Sequence, residues 1–346
     1  IAHILIPEPE GGGGENRIFR TQGRDILTWC LCALAVREAD TGELACNLPY
    51  LFNILCGSDS GMAAFFREMQ LCPYYEGTIS RAGARYLSKQ EQSPKSWSSF
   101  LVEAQDALQI YDPAGPLGQA ITTSDFDPAD LKNPDRPTSI FIIIPPEKAA
   151  THSSYAGLVL NTLIDGCIEA DRFAPRVTIL ADEFANLSIG KLPAILPTKY
   201  IGRSRGVQLI TYVQDIESYA TRYGRESSAF TSQSEVIMAW GVRTTKDAED
   251  YSKRSGMRAL LTETGSVPIS NNNTSKSLSW AEKGVPHMRP DDFLHLPDFK
   301  AVLFYKQHPP ITVDLVSYKM VEPWRSHAQD MPGAPPEKEL KVGYRV

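Results

Sequence analysis

Four short apolar runs, the first three cut off by a polar or proline stop, constrain the fold of this chain more than any other feature. Residues 139–144 are closed by Pro145 and Pro146, and residues 177–181 by Asp182 and Glu183. Residues 207–213 are closed by Gln214, and residues 235–240 form the fourth run. None alternates polar with apolar positions, the pattern of strands buried on both faces. Helical stretches follow the first, second and fourth of them at 154–170, 192–200 and 246–255, the last stopped by Gly256. Buried strands alternating with helices predict an α/β fold: a mostly parallel sheet covered by helices.

The region ahead of these runs has a different character. Ile18, Phe19, Ile26, Leu27, Cys30, Leu31 and Leu34 fall at helical spacing and predict a helix docked on a core up to residue 36. Between residues 40 and 111 no strand is expected. Residues 49–56, 60–71, 77–90 and 96–110 read as four helices separated by Gly, Pro and Ser breaks. An all-α stretch of this length inside an α/β pattern predicts an inserted helical domain at 37–111. Glycines 11–14 read as a flexible joint, 271–277 as a mobile polar loop, and 332–337 as the start of a disordered end. A helix is expected near Arg289-Pro290-Asp291, with strands at 301–305 and 311–316.

Composition narrows the class. Of 346 residues, 42% are hydrophobic and 22% charged, the balance of a folded soluble protein. The net charge of −6 argues against a general nucleic-acid coat protein but leaves room for a local basic surface. The longest apolar helical run, 27–36, is about half of the ~20 residues a membrane span needs. The six cysteines form no C-x-x-C pair and read as reduced cytosolic thiols rather than zinc ligands or disulfides.

The chemistry concentrates after the second run. A buried strand delivers Asp182 and Glu183 at its C-terminal end, where open α/β sheets bind ligands. In nucleotide hydrolases one such carboxylate holds the Mg²⁺ shell and the next orients or deprotonates the attacking water. An acidic strand end facing solvent is the competing reading. Gln214 ends the next run in the same way, so an amide is expected beside the carboxylates, placed to sense a γ-phosphate or its water. Between the two runs stand Gly202-Arg203-Ser204-Arg205-Gly206, two guanidiniums suited to phosphate oxygens, or else a solvated basic turn.

In chain order these pieces resemble the type IV secretion coupling proteins of the TraG/TraD group. Leu180-Ala181-Asp182-Glu183-Phe184-Ala185-Asn186-Leu187 is similar to that family's Walker B segment. Lys191-Leu192-Pro193 through Arg203-Ser204-Arg205-Gly206 resembles its downstream helix and arginine-rich turn, and Leu209 to Asp215 its strand ending in Gln. Asp247-Ala248-Glu249-Asp250-Tyr251-Ser252-Lys253 and Arg289-Pro290-Asp291-Asp292 resemble its later helices.

The resemblance implies a RecA-like ATPase that binds ATP and Mg²⁺. Asp182, Glu183, Gln214, Arg203 and Arg205 are its catalytic set, Asp182 and Gln214 touch the nucleotide, and Asp182 serves the metal. It implies a homo-hexamer at the cytoplasmic face of the bacterial inner membrane. Such a ring would move a relaxase–DNA complex or effector proteins, contact single-stranded DNA, and meet other secretion components. The domains then read as 1–36 and 112–330, two parts of a nucleotide-binding domain, with 37–111 inserted and 331–346 a flexible tail. One element is missing: no G-x-x-x-x-G-K-[ST] loop occurs in the 346 residues. The family's phosphate loop and membrane anchor are expected ahead of residue 1, and this chain alone is expected to be inactive. The alternatives are a non-hydrolysing substrate-docking module and an FtsK-like double-stranded DNA translocase. The helical insertion and the Glu183-Phe184-Ala185-Asn186 context disfavour the translocase.

Overall fold

Residues 1–8, 17–124, 126–184, 192–266 and 277–327 are described by the computed structural model. They belong to two compact units, Ile1–Ser234 and Glu235–Val346.

The first unit opens with α1 (Ala2–Leu5) and α2 (Arg17–Thr41), then α3 (Leu48–Leu55), α4 (Asp59–Gln70), α5 (Thr78–Gln92) and α6 (Pro94–Leu108). The four expected helices of residues 49–110 are present as α3–α6. Local chemistry sets their starts. The Asn47 side chain accepts from the Tyr50 N–H and Pro49 sits in the first turn of α3, while Ser58 accepts from the Gly61 N–H of α4. Helix α2 continues past residue 36 to Thr41. Its buried Ile26, Leu27, Cys30 and Leu34 share one core with Leu51, Phe66, Tyr86, Trp97 and Leu108. Phe66 is the hub of that core, 5.3 Å from the Tyr86 ring and edge-on to Trp97 at 5.7 Å. All six cysteines are free thiols.

After α7 (Pro116–Ala120) and a 3-10 turn (Pro128–Lys132), the chain reaches the first apolar run. The expected strand at 139–144 is not formed, and Phe141 and Ile143 are 83% and 85% exposed. A strand persists only where a neighbour completes its hydrogen-bond ladder, and no described residue pairs with this run. Then follow α8 (Ala149–Glu169), β1 (Val177–Ala181), α9 (Ile195–Ile201), β2 (Val207–Thr211), α10 (Glu217–Tyr223) and α11 (Ser228–Ser232). Strands β1 and β2 pair in parallel, from Val177 opposite Val207 to Ala181 opposite Thr211. Ala181 and Phe184 pack with Ile4 of α1, Leu160 and Ile164 of α8, Ile195 of α9, and Tyr219, Tyr223 and Phe230. The expectation of burial on both faces holds for neither strand throughout, since Thr178, Leu180 and Gln208 are exposed.

The second unit contains β3 (Val236–Ala239), α12 (Thr245–Arg254), β4 (Met257–Ser266), β5 (Ser277–Pro286), α13 (Pro290–Leu294), β6 (Lys300–Tyr305) and β7 (Ile311–Asp314). The fourth apolar run therefore forms β3, but it pairs antiparallel with β6, which pairs antiparallel with β7. Strands β4 and β5 form a ten-rung antiparallel hairpin that the sequence reading missed. Of the polar loop expected at 271–277, only Ser277 is described, and it opens β5. Tyr251 of α12 stacks on Phe304 of β6 at 5.9 Å, closing a core with Ala239, Phe293 and Val302. The glycines at 11–14 and the tail at 331–346 lie outside the described residues.

Candidate functional site

The parallel pairing of β1 and β2 places three of the expected site residues at one edge. The pairing extends past the strands, with the Tyr212 N–H donating to the Ala181 carbonyl and the Phe184 N–H to the Tyr212 carbonyl, both at 3.0 Å. Asp182 and Glu183 therefore leave the sheet beside the segment 212–214, and Asp182, Glu183 and Gln214 are all exposed there. The turn is tight: Glu183 has φ of 44°, unusual for a residue with a side chain, and its N–H donates to Asp182 Oδ1 at 3.1 Å.

What holds this turn is the next residue. Phe184 is 2% exposed, stacked against Tyr223 with centroids 6.0 Å apart and tilted against Phe230 at 5.5 Å. Tyr219 completes the cluster and stacks on Phe230 at 4.3 Å. Its hydroxyl also shares a 2.6 Å hydrogen bond with Thr211 Oγ1 at the end of β2, and burial raises the phenol above its ordinary pKa. One aromatic cluster thus anchors both strand ends that carry the polar groups. Neither Tyr219 nor the cluster was anticipated from the sequence, because α10 and α11 are short and carry no periodic signal.

The two expected arginines lie elsewhere. The turn 202–206 precedes β2, so Arg203 and Arg205 sit at the opposite end of a five-residue strand from Gln214. At ~3.3 Å per residue that separation is roughly 17 Å along the sheet. Arg203 is exposed, and Arg205 forms an ion pair with Asp171 in the loop before β1. The structure thus brings Asp182, Glu183 and Gln214 together and keeps Arg203 and Arg205 apart from them. Residues 185–191, which carry the rest of the Walker B-like segment and Lys191, are outside the described residues.

Comparison with known proteins bears on what this edge is. The profile of the type IV secretory system conjugative DNA transfer family matches residues 1–331. The chain belongs to this family. It is 24% identical over 314 residues to the conjugal transfer protein TraG of Escherichia coli, and 23% over 312 residues to a second TraG from that organism. Each alignment covers 85% of this chain and 48% of TraG, so the chain spans about half the length of the curated relatives it matches. Among solved structures, the plasmid coupling protein TrwB in complex with ADP and Mg²⁺ superposes with a TM-score of 0.66 at 18% identity, over 91% of this chain and 66% of TrwB. The unbound TrwBΔN70 gives 0.64 at 17%, over the same shares. The shared fold is RecA-like α/β.

The edge suits a hard cation in one respect. Among the described residues no group of three or more His, Cys, Asp or Glu could hold a metal unaided. Magnesium, however, is commonly bound through one or two carboxylates together with phosphate oxygens and water. Exposed Asp182, with only Oδ1 engaged by the adjacent N–H, can supply such a carboxylate. Among the described residues no helix is long and apolar enough to cross a membrane.

Proposed function

We propose that this chain is the carboxylate-bearing part of an ATP-driven coupling motor that feeds relaxase–single-stranded DNA or effector proteins into a type IV secretion channel. The observation that carries the reading is the in-register pairing of β1 with β2, which sets Asp182, Glu183 and Gln214 at one C-terminal sheet edge. Magnesium, when bound, neutralises charge on the transferring phosphoryl group. Asp182 would hold that ion. Glu183 orients the attacking water and accepts its proton, and Gln214 presents an amide to the γ-phosphate or to the same water. Arg203 or Arg205, at the far end of β2, serves the nucleotide of a neighbouring subunit in a hexameric ring. The ring works at the cytoplasmic face of the inner membrane, in contact with other secretion components.

Helices α3–α6 are proposed to recruit the substrate or its adaptors. Because α2 shares their core, deleting 37–111 would strip the cover from Leu27 and Leu34, and exposed-face substitutions are the better probe.

The carboxylates give the test in the full-length protein. Glu183→Gln should keep Mg·ATP binding and slow hydrolysis by about 10²-fold or more, whereas Asp182→Asn should also weaken Mg²⁺ binding, raising the Mg²⁺ concentration that hydrolysis needs. Hydrolysis within about twofold of the parent for both variants would make this edge ordinary surface.

A further inference from the structure

Helix α2 begins with the wrong charge for its own dipole. The N-terminus of a helix favours acidic side chains, yet the first turn of α2 holds no acid and carries Arg17 and Arg20. A third arginine, Arg24, follows one turn later and is only 7% exposed. Residues four apart share a helix face, so Arg20 and Arg24 are neighbours, with Cβ atoms roughly 5–6 Å apart.

Arg24 is fixed by the chain that leads into this helix. Its Nε donates to the Ile6 carbonyl at 2.6 Å, and its Nη1 to Glu8 Oε1 at 2.5 Å. Its Nη2 is buried and has no hydrogen-bond partner among the described residues, and the same holds for Nη1 of Arg20. Among the described residues Arg20 forms no hydrogen bond or ion pair at all. The Glu8 carboxyl is held below its usual range, first by the hydrogen bond from Arg24 and then by the charges of Arg24, Arg17 and Arg20. Asp25, the next acid along the helix, is engaged elsewhere: it accepts from the Tyr86 hydroxyl at 2.7 Å and pairs with Arg85. Three guanidiniums set against one carboxylate leave an excess of two positive charges.

We infer that the start of α2 is an oxyanion site for a phosphate group, with Arg20 and Arg24 as its ligands and Arg17 at its rim. A guanidinium binds phosphate oxygens through its fork of N–H donors, and both orphaned donors are of this kind. A charged donor left buried without a partner is costly, and an oxyanion relieves both at once. The excess charge matches a doubly charged phosphate better than a single carboxylate. The same ligand satisfies the helix dipole that the arginines oppose. It would also steady α1, because Arg24 grips the Ile6 carbonyl while Ile4 packs with Phe184. The site shares no residue with the carboxylate edge and stands whether or not that edge hydrolyses ATP. The chemistry is the same for free phosphate and for a phosphodiester chain, and the test separates the two.

In the full-length protein, peptide-resolved hydrogen exchange is followed while inorganic phosphate replaces chloride at constant ionic strength. Peptides covering 1–8 and 17–24 should exchange about 3- to 10-fold more slowly in saturating phosphate, with α12 unchanged. Arg20→Gln, which breaks no hydrogen bond or ion pair among the described residues, should raise the phosphate concentration at half-protection by about tenfold or more, the scale of a lost charge-assisted bond. Arg20→Lys, which keeps the charge without the fork, should raise it by about threefold. Arg24→Gln should remove the protection, but Arg20→Gln decides the matter even where Arg24→Gln does not fold. A short single-stranded oligonucleotide identifies the source. If it protects the same peptides and Arg20→Gln weakens that effect, the ligand is a phosphodiester; if only inorganic phosphate protects, it is free phosphate or a small phosphate ester. No protection by either probe, equal protection by acetate, or a midpoint unchanged in Arg20→Gln would overturn the site.

Discussion

Replacing Phe184 with Ala should unfold the first unit at markedly lower temperature and loosen the turn that carries Glu183. The ring is 2% exposed and lies within 5.5–6.0 Å of Phe230, Tyr219 and Tyr223. Truncating a buried Phe to Ala costs about 3–5 kcal/mol through lost transfer energy and the cavity left behind. Each aromatic pair adds about 0.5–1.5 kcal/mol beyond its area, which places this site near the upper end, roughly 4–5 kcal/mol. For a unit of this length ~1 kcal/mol moves Tm by about 2–4 °C, so the transition of Ile1–Ser234 should fall by roughly 8–20 °C. The functional consequence runs through the backbone. A non-glycine residue at positive φ, as Glu183 is, costs about 1–2 kcal/mol and persists only while its surroundings hold it. Without the anchor the turn should relax, and the Phe184-position amide should exchange faster. Calorimetry with peptide-resolved hydrogen exchange assigns the shift to the correct unit. Phe141→Ala, at a ring 83% exposed, is the control and should stay within about 0.5 kcal/mol. A Phe184→Ala transition within about 3 °C of the parent, or an equal loss in the control, would refute the reasoning.

Two further outcomes follow from charge and geometry. Hydrogen bonding to Arg24, at 2.5 Å, holds the Glu8 carboxyl below its usual range, so its stabilising effect is present above about pH 4.5 and fades as pH falls through the lower folded-state value. Denaturant melts of Glu8→Gln and parent should differ at pH 7 and converge in acid; a gap that widens in acid would reverse the sign. In the full-length protein, mixing inert Glu183→Gln subunits with inert Arg203→Ala/Arg205→Ala subunits should restore part of the ATPase activity, because some interfaces then pair an intact carboxylate with an intact arginine. No recovery in rings shown to be mixed would place the arginines in cis or outside the chemistry.

The sequence carried different parts of this molecule with unequal clarity. Helices α3–α6 were legible because Leu101, Ala104 and Leu108 repeat at helical spacing and Gly, Pro and Ser mark the ends. The carboxylate edge was legible because an apolar strand stopping at Asp182-Glu183 is local information. Pairing partners are not local. Residues 139–144 have strand composition but no described neighbour, and 235–240 became β3 on an antiparallel partner sixty-odd residues further on. The β4–β5 hairpin escaped because Met257–Ser266 mixes Arg, Glu and Thr with its apolar residues and is exposed over most of its described length. Lys132 was illegible for another reason. It lies in a polar connection rich in Pro, Asp and Lys, and only the fold reveals that its ammonium reaches carbonyls more than forty and seventy positions away.

The same parallel pairing that assembles the carboxylate edge also sets the arginine turn at the other end of the sheet. In a parallel sheet both strands end at one edge, so whatever precedes β2 must lie at the other. The arginine turn is therefore separated from Asp182 by the full length of the strand, and the Arg205–Asp171 pair and the Lys132 hydrogen bond to the Arg205 carbonyl keep it from folding back. For a guanidinium in that turn to stabilise charge on a transferring phosphoryl group, the phosphate has to be brought by another copy. The proposed ring would supply that geometry if it set the arginine end of one subunit against the carboxylate edge of the next.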